Sequence, residues 1–268
     1  MQNFPIFVIN LPTATERRLA VEKQLNSLGA DYEIVEGVFG NDQRVVERYD
    51  DELAITERKK SLITGEKGCA LAHALVYERM VKENTPLALI MEDDIVLPKN
   101  FLQIAEKEIS KTERKWEWLS FDYRYVGRIF LYHWLIATIK TIKNKPSFIW
   151  YALLKSFYMI PLSIFEGLRN YLSSRFSRYS GPKKFYRPLF NAGAYFLTLE
   201  GAKKLLDLTQ PLRYSADEIP NVGRRKVGLK FYGYVPLIVR QNTVDFDTDA
   251  GRTNEEWERF FKENSIEK

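Results

Sequence analysis

Leu87-Ala88-Leu89-Ile90-Met91-Glu92-Asp93-Asp94 places five apolar residues directly before three carboxylates. An apolar run this short, with no alternating polar positions, reads as a strand covered on both faces, as in the middle of an α/β sheet. Open α/β sheets bind their ligands beyond the carboxyl ends of the strands, and this strand ends on the acids. Alternation along an extended chain sends Glu92 and Asp94 to one side and turns Asp93 away. Two hard oxygen donors on one side suit Mg²⁺ or Mn²⁺. The plainer reading is a solvated junction between strand and loop.

Working outward, residues 67–82 form a helix, with Leu71, Leu75 and Val76 on one side and Met80 a turn further on. Nearer the N-terminus, residues 6–11 read as a buried strand and 17–28 as a helix that Thr13 or Thr15 can cap. Gly29 stands where a helix end tolerates positive φ, and residues 32–38 read as the second strand. Strand, helix, strand implies a parallel pair joined by a right-handed crossover, the opening unit of a doubly wound sheet. Beyond the acids come a helix at 100–111 and a strand at 118–121. After an unusual middle segment follow a strand at 194–199, a helix at 201–208, strands at 230–235 and 237–241, and a charged helix from Asn254.

The chain of 268 residues is 45% hydrophobic and 28% charged, enough for a sizeable globular core. Its net charge of +5 is unevenly placed: twelve Lys or Arg and one acid, Glu166, lie between Arg124 and Arg187. One cysteine, Cys69, excludes an internal disulfide and fits a reducing compartment. The start, Met-Gln-Asn-Phe-Pro, lacks the pattern of a secretory signal. The expectation is therefore a cytoplasmic protein.

Four blocks decide between the two readings of the acids. Ile9-Asn10-Leu11 with Arg17-Arg18, Gly65-Glu66-Lys67-Gly68-Cys69-Ala70-Leu71-Ala72-His73, Leu89 to Asp94, and Gly193-Ala194-Tyr195-Phe196-Leu197 together closely resemble glycosyltransferase family 25. That family includes bacterial lipooligosaccharide galactosyltransferases and collagen galactosyltransferases, and the resemblance covers residues 5–121 and 190–245. It implies a GT-A-type, Rossmann-like α/β fold and transfer of a hexose, galactose being favoured, from a UDP-sugar to a lipid-linked oligosaccharide. By position, Glu92, Asp93 and Asp94 stand for the family's metal and nucleotide motif, with Asp94 the first choice as ligand of Mn²⁺ or Mg²⁺. Asp217 and Glu218 match a later acidic motif, and if the enzyme inverts one of them would be the base that deprotonates the acceptor hydroxyl; the plainer reading is an acidic pair at a helix start. Ala72, where the family usually has Ser, and Gly37, where it usually has Ala, are departures of small residue for small.

The remaining candidates are weighed on their own chemistry. Arg17 and Arg18, just after the first strand, reach either nucleotide phosphate or surface partners. Asn10 ends that strand beside the expected nucleotide pocket, and Gln241, ending the last strand, would close the metal or donor site. Glu66 either stabilises its helix N-terminus or binds sugar hydroxyls. His73 follows Cys69 by four residues on one helical face. Two further ligands at zinc-type spacing are missing, so a hydrogen-bonded histidine lining the cleft is the preferred reading.

Residues 126–165 carry apolar runs with Trp134, Trp150, Tyr151 and Tyr158, flanked almost only by Lys and Arg. No run reaches the roughly 20 apolar residues that span a bilayer. Aromatic and aliphatic runs with basic flanks describe helices lying in an anionic membrane interface; the plainer reading is helices packed on the sheet as core, against which the charge bias argues, and the long aliphatic runs argue against a nucleic-acid platform. The division expected is a nucleotide-sugar part at 1–121, a basic, aromatic-rich membrane-associating insertion at 122–187 and the acceptor side at 188–268. The protein is then peripheral on the cytoplasmic face of the inner membrane.

Overall fold

The computed structural model describes residues 2–111, 113–125, 180–185 and 188–242. The basic insertion and the charged helix expected from Asn254 lie outside the described residues, apart from the insertion's ends.

Strand β1 (Ile6–Asn10) is buried along its whole length, and helix α1 (Thr15–Leu28) follows it. Ala14 holds the N-cap position without a side-chain cap, so neither Thr13 nor Thr15 caps the helix; Gly29 ends it at φ 68. Strand β2 (Glu33–Glu36) lies parallel to β1. Two short helices that apolar periodicity does not mark come next, α2 (Gln43–Arg48) and α3 (Asp51–Arg58). Each is capped by an aspartate, Asp42 and Asp50, accepting from a backbone N–H in the first turn. Helix α4 (Thr64–Lys82) leads into β3 (Leu87–Glu92), parallel to β1 with Ile9 opposite Glu92.

After β3 come β4 (Ile95–Val96), α5 (Phe101–Ile109), β5 (Trp118–Ser120) and β6 (Arg124–Tyr125). Beyond the insertion lie β7 (Gly181–Lys184), β8 (Leu189–Phe190), β9 (Ala194–Thr198), α6 (Leu199–Thr209), α7 (Ile219–Lys226), β10 (Phe231–Val235) and β11 (Arg240–Gln241). The main sheet has the order β2-β1-β3-β9-β5-β10-β7. It is mixed: β9 runs antiparallel to both β3 and β5, and β7 antiparallel to β10. A doubly wound parallel sheet needs a crossover before each strand. Residues 191–193 instead enter β9 at the edge where β3 leaves, which reverses its direction. Only Arg240 and Gln241 of the last expected strand pair, with β4.

Period-two alternation divides the sheet's side chains between two cores. Phe7, Ile9, Ile90, Trp118, Tyr195 and Leu197 pack under α4 and α6, while Ile6, Val8, Leu89, Met91, Phe196 and Leu119 pack under α1 and α5. Because β9 lies between β3 and β5 and β7 adds an edge beside β10, strands from residues 6–120, 181–184 and 194–235 complete one sheet, so the segment expected as an insertion at 122–187 gives its C-terminal end to the sheet. Among the described residues no helix is long and apolar enough to cross a membrane.

Candidate active site

The carboxyl ends of β1 and β3, the loop after β2, the first turns of α4 and the approach to β9 surround a cavity of about 690 Å³. Ile9, Leu11, Val38 and Phe39 give one wall an apolar surface; Glu66, Cys69 and His73 come from α4, and Ser215 to Asp217 from the loop before α7. The first turns of α4 rest directly on residues 38–40. A Cβ on Gly68 would stand 2.2 Å from the Val38 carbonyl oxygen, and one on Gly40 would stand 1.7 Å from that of Thr64. Glycine is required at both positions for this approach.

All three acids line the cavity. Strand β3 stops at Glu92, and Asp93 and Asp94 form the turn after it, so strand alternation no longer sets their directions. Asp93, expected to turn away, is at the wall. Its Oδ2 accepts from Asn10 Nδ2 (2.6 Å) and its Oδ1 faces Arg17 Nη1 (3.3 Å). Asp94 Oδ2 accepts from Gln241 Nε2 (2.7 Å), while its buried Oδ1 has no hydrogen-bond partner. Burial and then the charge of Glu92 push the Asp94 carboxyl up to about 7. Burial also raises Asp93, against the opposing charge of Arg17. For Glu92 burial acts in the same upward direction, but the His73 hydrogen bond and charge outweigh it and hold the group below its ordinary value.

His73 is buried between two partners. Its Nδ1 lies 2.7 Å from the Tyr195 hydroxyl and its Nε2 lies 3.2 Å from Glu92 Oε1. Tyr195 stacks on Trp118 at 3.6 Å and shares a hydrogen bond with the Tyr77 hydroxyl (3.0 Å). Cys69 Sγ lies 3.7 Å from Glu92 Oε1. Burial, with the nearby negative charges of Glu92, Asp217 and Asp94, raises the thiol well above its ordinary value.

The model of glycosyltransferase family 25, described as LPS biosynthesis proteins, matches residues 3–220. The chain belongs to glycosyltransferase family 25. A family 25 member from Anopheles gambiae is 34% identical over 129 residues, 46% of this chain and 21% of the relative. The lipooligosaccharide biosynthesis protein lic2B of Haemophilus influenzae is 23% identical over 141 residues, covering 52% of this chain and 48% of the relative. The lacto-N-neotetraose biosynthesis glycosyltransferase LgtB of Neisseria gonorrhoeae is 28% identical over 115 residues, covering 42% and 39%. The chain thus spans about a fifth of the insect relative and under half of either bacterial one.

In this family 25 chain the residues singled out from sequence separate into three groups. Arg17, Glu66, His73, Glu92, Asp93, Asp94, Asp217 and Gln241 are brought together around the cavity. Asn10 is buried behind Asp93, where its amide donates to Asp93 and to the Ala14 carbonyl (3.0 Å); it supports the wall without forming it. Arg18 and Glu218 do not line the cavity. Successive helical residues point about 100° apart, so Arg18 turns to solvent beside Glu22 when Arg17 faces inward. Glu218 Oε2 accepts from Arg58 Nε at 2.5 Å, a guanidinium almost wholly enclosed. Glu66 Oε2 accepts from the Ile63 N–H (3.1 Å), so it stabilises the start of α4 while lining the cavity.

Three residues at or behind the wall carried no assigned role in the sequence reading. Tyr195 stands inside the block Gly193 to Leu197, on the expected strand at 194–199. Asn191, at φ 101, lines the cavity and donates to the buried Asp122. Gly193 brings Asp122 so close that a Cβ there would stand 2.4 Å from Asp122 Oδ2. The asparagine and the glycine of Asn191-Ala192-Gly193 are the signal the sequence offers here, the first for its positive φ and the second for the close approach of Asp122.

Proposed function

We propose that this family 25 chain transfers a hexose from a UDP-sugar to the oligosaccharide of a lipooligosaccharide or lipopolysaccharide, using a GT-A-type site and Mn²⁺ or Mg²⁺. Galactose is the favoured hexose through the family resemblance. The observation that carries the reading is the run Glu92-Asp93-Asp94 at the cavity wall, with the buried Asp94 Oδ1 lacking any partner. Three carboxylates this close repel one another, and a hard dication among them removes the repulsion while giving that oxygen a partner. Asp94 and Glu92 would hold the ion, with Gln241 fixing Asp94. The ion, when bound, neutralises charge growing on the departing diphosphate.

The chain's own groups divide the other tasks. Arg17 favours the charged form of Asp93 and holds it in place, and the apolar wall with the partly exposed Phe39 offers a flat base a dry surface. Asp217, exposed on the loop before α7, would take the proton of the attacking acceptor hydroxyl. The basic segment 126–165 would hold the protein to an anionic membrane surface near its lipid-linked acceptor.

A screen of nucleotide sugars for donor hydrolysis and for transfer, with and without chelator, tests this. Transfer from UDP-galactose that chelator stops and Mn²⁺ restores is expected. Preference for UDP-glucose or another donor would replace galactose alone. Donor binding without turnover of any sugar would mean a catalytically silent binding protein and would end the transferase reading.

A further inference from the structure

The floor of the cavity carries a donor set softer than the acid run. Sequence spacing offered Cys69 and His73 alone, but the fold adds a third ligand from β3. Cys69 Sγ and His73 Nε2 lie 3.7 Å and 3.2 Å from the same Glu92 oxygen. The three ligand atoms all lie within 4.8 Å of one another. A tetrahedral zinc ion bound by thiolate, imidazole and carboxylate spaces its ligand atoms roughly 3.3–3.6 Å apart. We propose that Cys69, His73 and Glu92 form a Zn²⁺ site whose fourth position opens to the cavity.

The surroundings meet the other requirements of such a site. All three residues line the cavity, so an ion has a way in. Ligating imidazoles use their second nitrogen on a partner that sets ring orientation; here that partner is the Tyr195 hydroxyl at 2.7 Å, itself tied to Tyr77. A hydroxyl can donate or accept. When Zn²⁺ takes the Nε2 lone pair, the ring proton moves to Nδ1 and is donated to Tyr195, whose own proton turns to Tyr77. The Cys69 thiol gives up its proton to solvent on binding. The negative charges that oppose its ionisation favour a dication at the same place.

Thiolate and imidazole select Zn²⁺, whereas an all-oxygen set selects Mg²⁺ or Mn²⁺. Two sites of different softness therefore share Glu92. Zn²⁺ at the floor withdraws that carboxylate from the hard-metal set and stops transfer. This consequence rests on the proposed transferase reading; the binding does not.

The test is a Co²⁺ titration of the full chain, reduced and free of other metals. Because the chain has one cysteine, a thiolate-to-cobalt charge-transfer band can arise only at Cys69. One equivalent of Co²⁺ should give that band, and Zn²⁺ should bleach it. Cys69→Ser, or Cys69→Ala if the serine variant melts differently from wild type, should abolish the band and weaken Zn²⁺ in chelator competition by at least about 100-fold. Tyr195→Phe should weaken it by about 10- to 100-fold, and Asp94→Asn should keep the band. Co²⁺ bound without the band, or Zn²⁺ affinity unchanged in the cysteine variants, overturns the site. In the activity arm, Zn²⁺ should inhibit Mn²⁺-supported transfer by wild type and not by Cys69→Ser. A band with no turnover of any donor sinks the transferase reading and leaves the zinc site standing.

Discussion

Gly68 is an interior position of α4, where propensity alone says alanine should stabilise by about 1 kcal/mol. The tertiary contact reverses that sign. An added methyl would stand 2.2 Å from the Val38 oxygen and 2.8 Å from the Gly40 nitrogen, both backbone atoms that cannot rotate away. Ordinary contact begins near 3.4 Å, so helix and loop must part by roughly 1 Å, an overpacking that costs about 1–3 kcal/mol or more. Set against the propensity gain, Gly68→Ala should lose about 1–2 kcal/mol net. Because Val38 and Phe39 form the apolar wall, nucleotide binding should weaken as well. Urea unfolding with a common slope reads the first effect, and titration calorimetry with UDP reads the second. Gly29→Ala is the control: no atom lies within 4 Å of its Cβ, so it bears only the strain of φ 68, about 1–2 kcal/mol, and should leave binding alone. A Gly68→Ala protein as stable as wild type, or more so, would refute the close approach of α4 to residues 38–40.

Asp94→Asn should abolish transfer while holding or slightly raising the melting temperature, because it removes one of three crowded charges; wild-type activity in chelator would contradict the metal role. Asp217→Asn should cut turnover far more than donor affinity, whereas Glu218→Gln should chiefly destabilise, by about 1–3 kcal/mol, through the enclosed Arg58 it leaves unpaired. Arg18→Ala should change neither donor affinity nor stability by more than about 0.5 kcal/mol; a large loss of affinity would place Arg18 at the cavity after all. The protein should sediment with anionic liposomes, less so at high salt, and replacing Trp134 and Trp150 by Ser should remove much of the salt-resistant part. Indifference to anionic liposomes at low salt would remove the membrane role of the insertion.

Much of the architecture was legible because it is written in local pattern. The apolar runs of β1, β3 and β9, the apolar spacing of α4 and the glycine at position 29 each carry their meaning within a few neighbouring residues. So did the acids at the end of β3, since a strand and its carboxyl end are read together. The helices α2 and α3 were not legible, being too short to show a period and marked only by their aspartate caps.

The sequence by itself determined the longer strands and helices, the three acids at the carboxyl end of β3 and the family to which the four blocks point. Tertiary structure alone decided which way β9 runs, and so that Asn191 lines the cavity with the acids and the Gly193 carbonyl accepts from the Glu92 N–H. It alone turned Asp93 to the cavity and Arg18 to solvent, tied Glu218 to Arg58, and set Glu92 beside Cys69 and His73. The physical reason is range. Propensity and periodicity act over a turn or a strand, whereas each of these outcomes depends on which distant segment arrives with a matching charge, hydrogen bond or van der Waals surface.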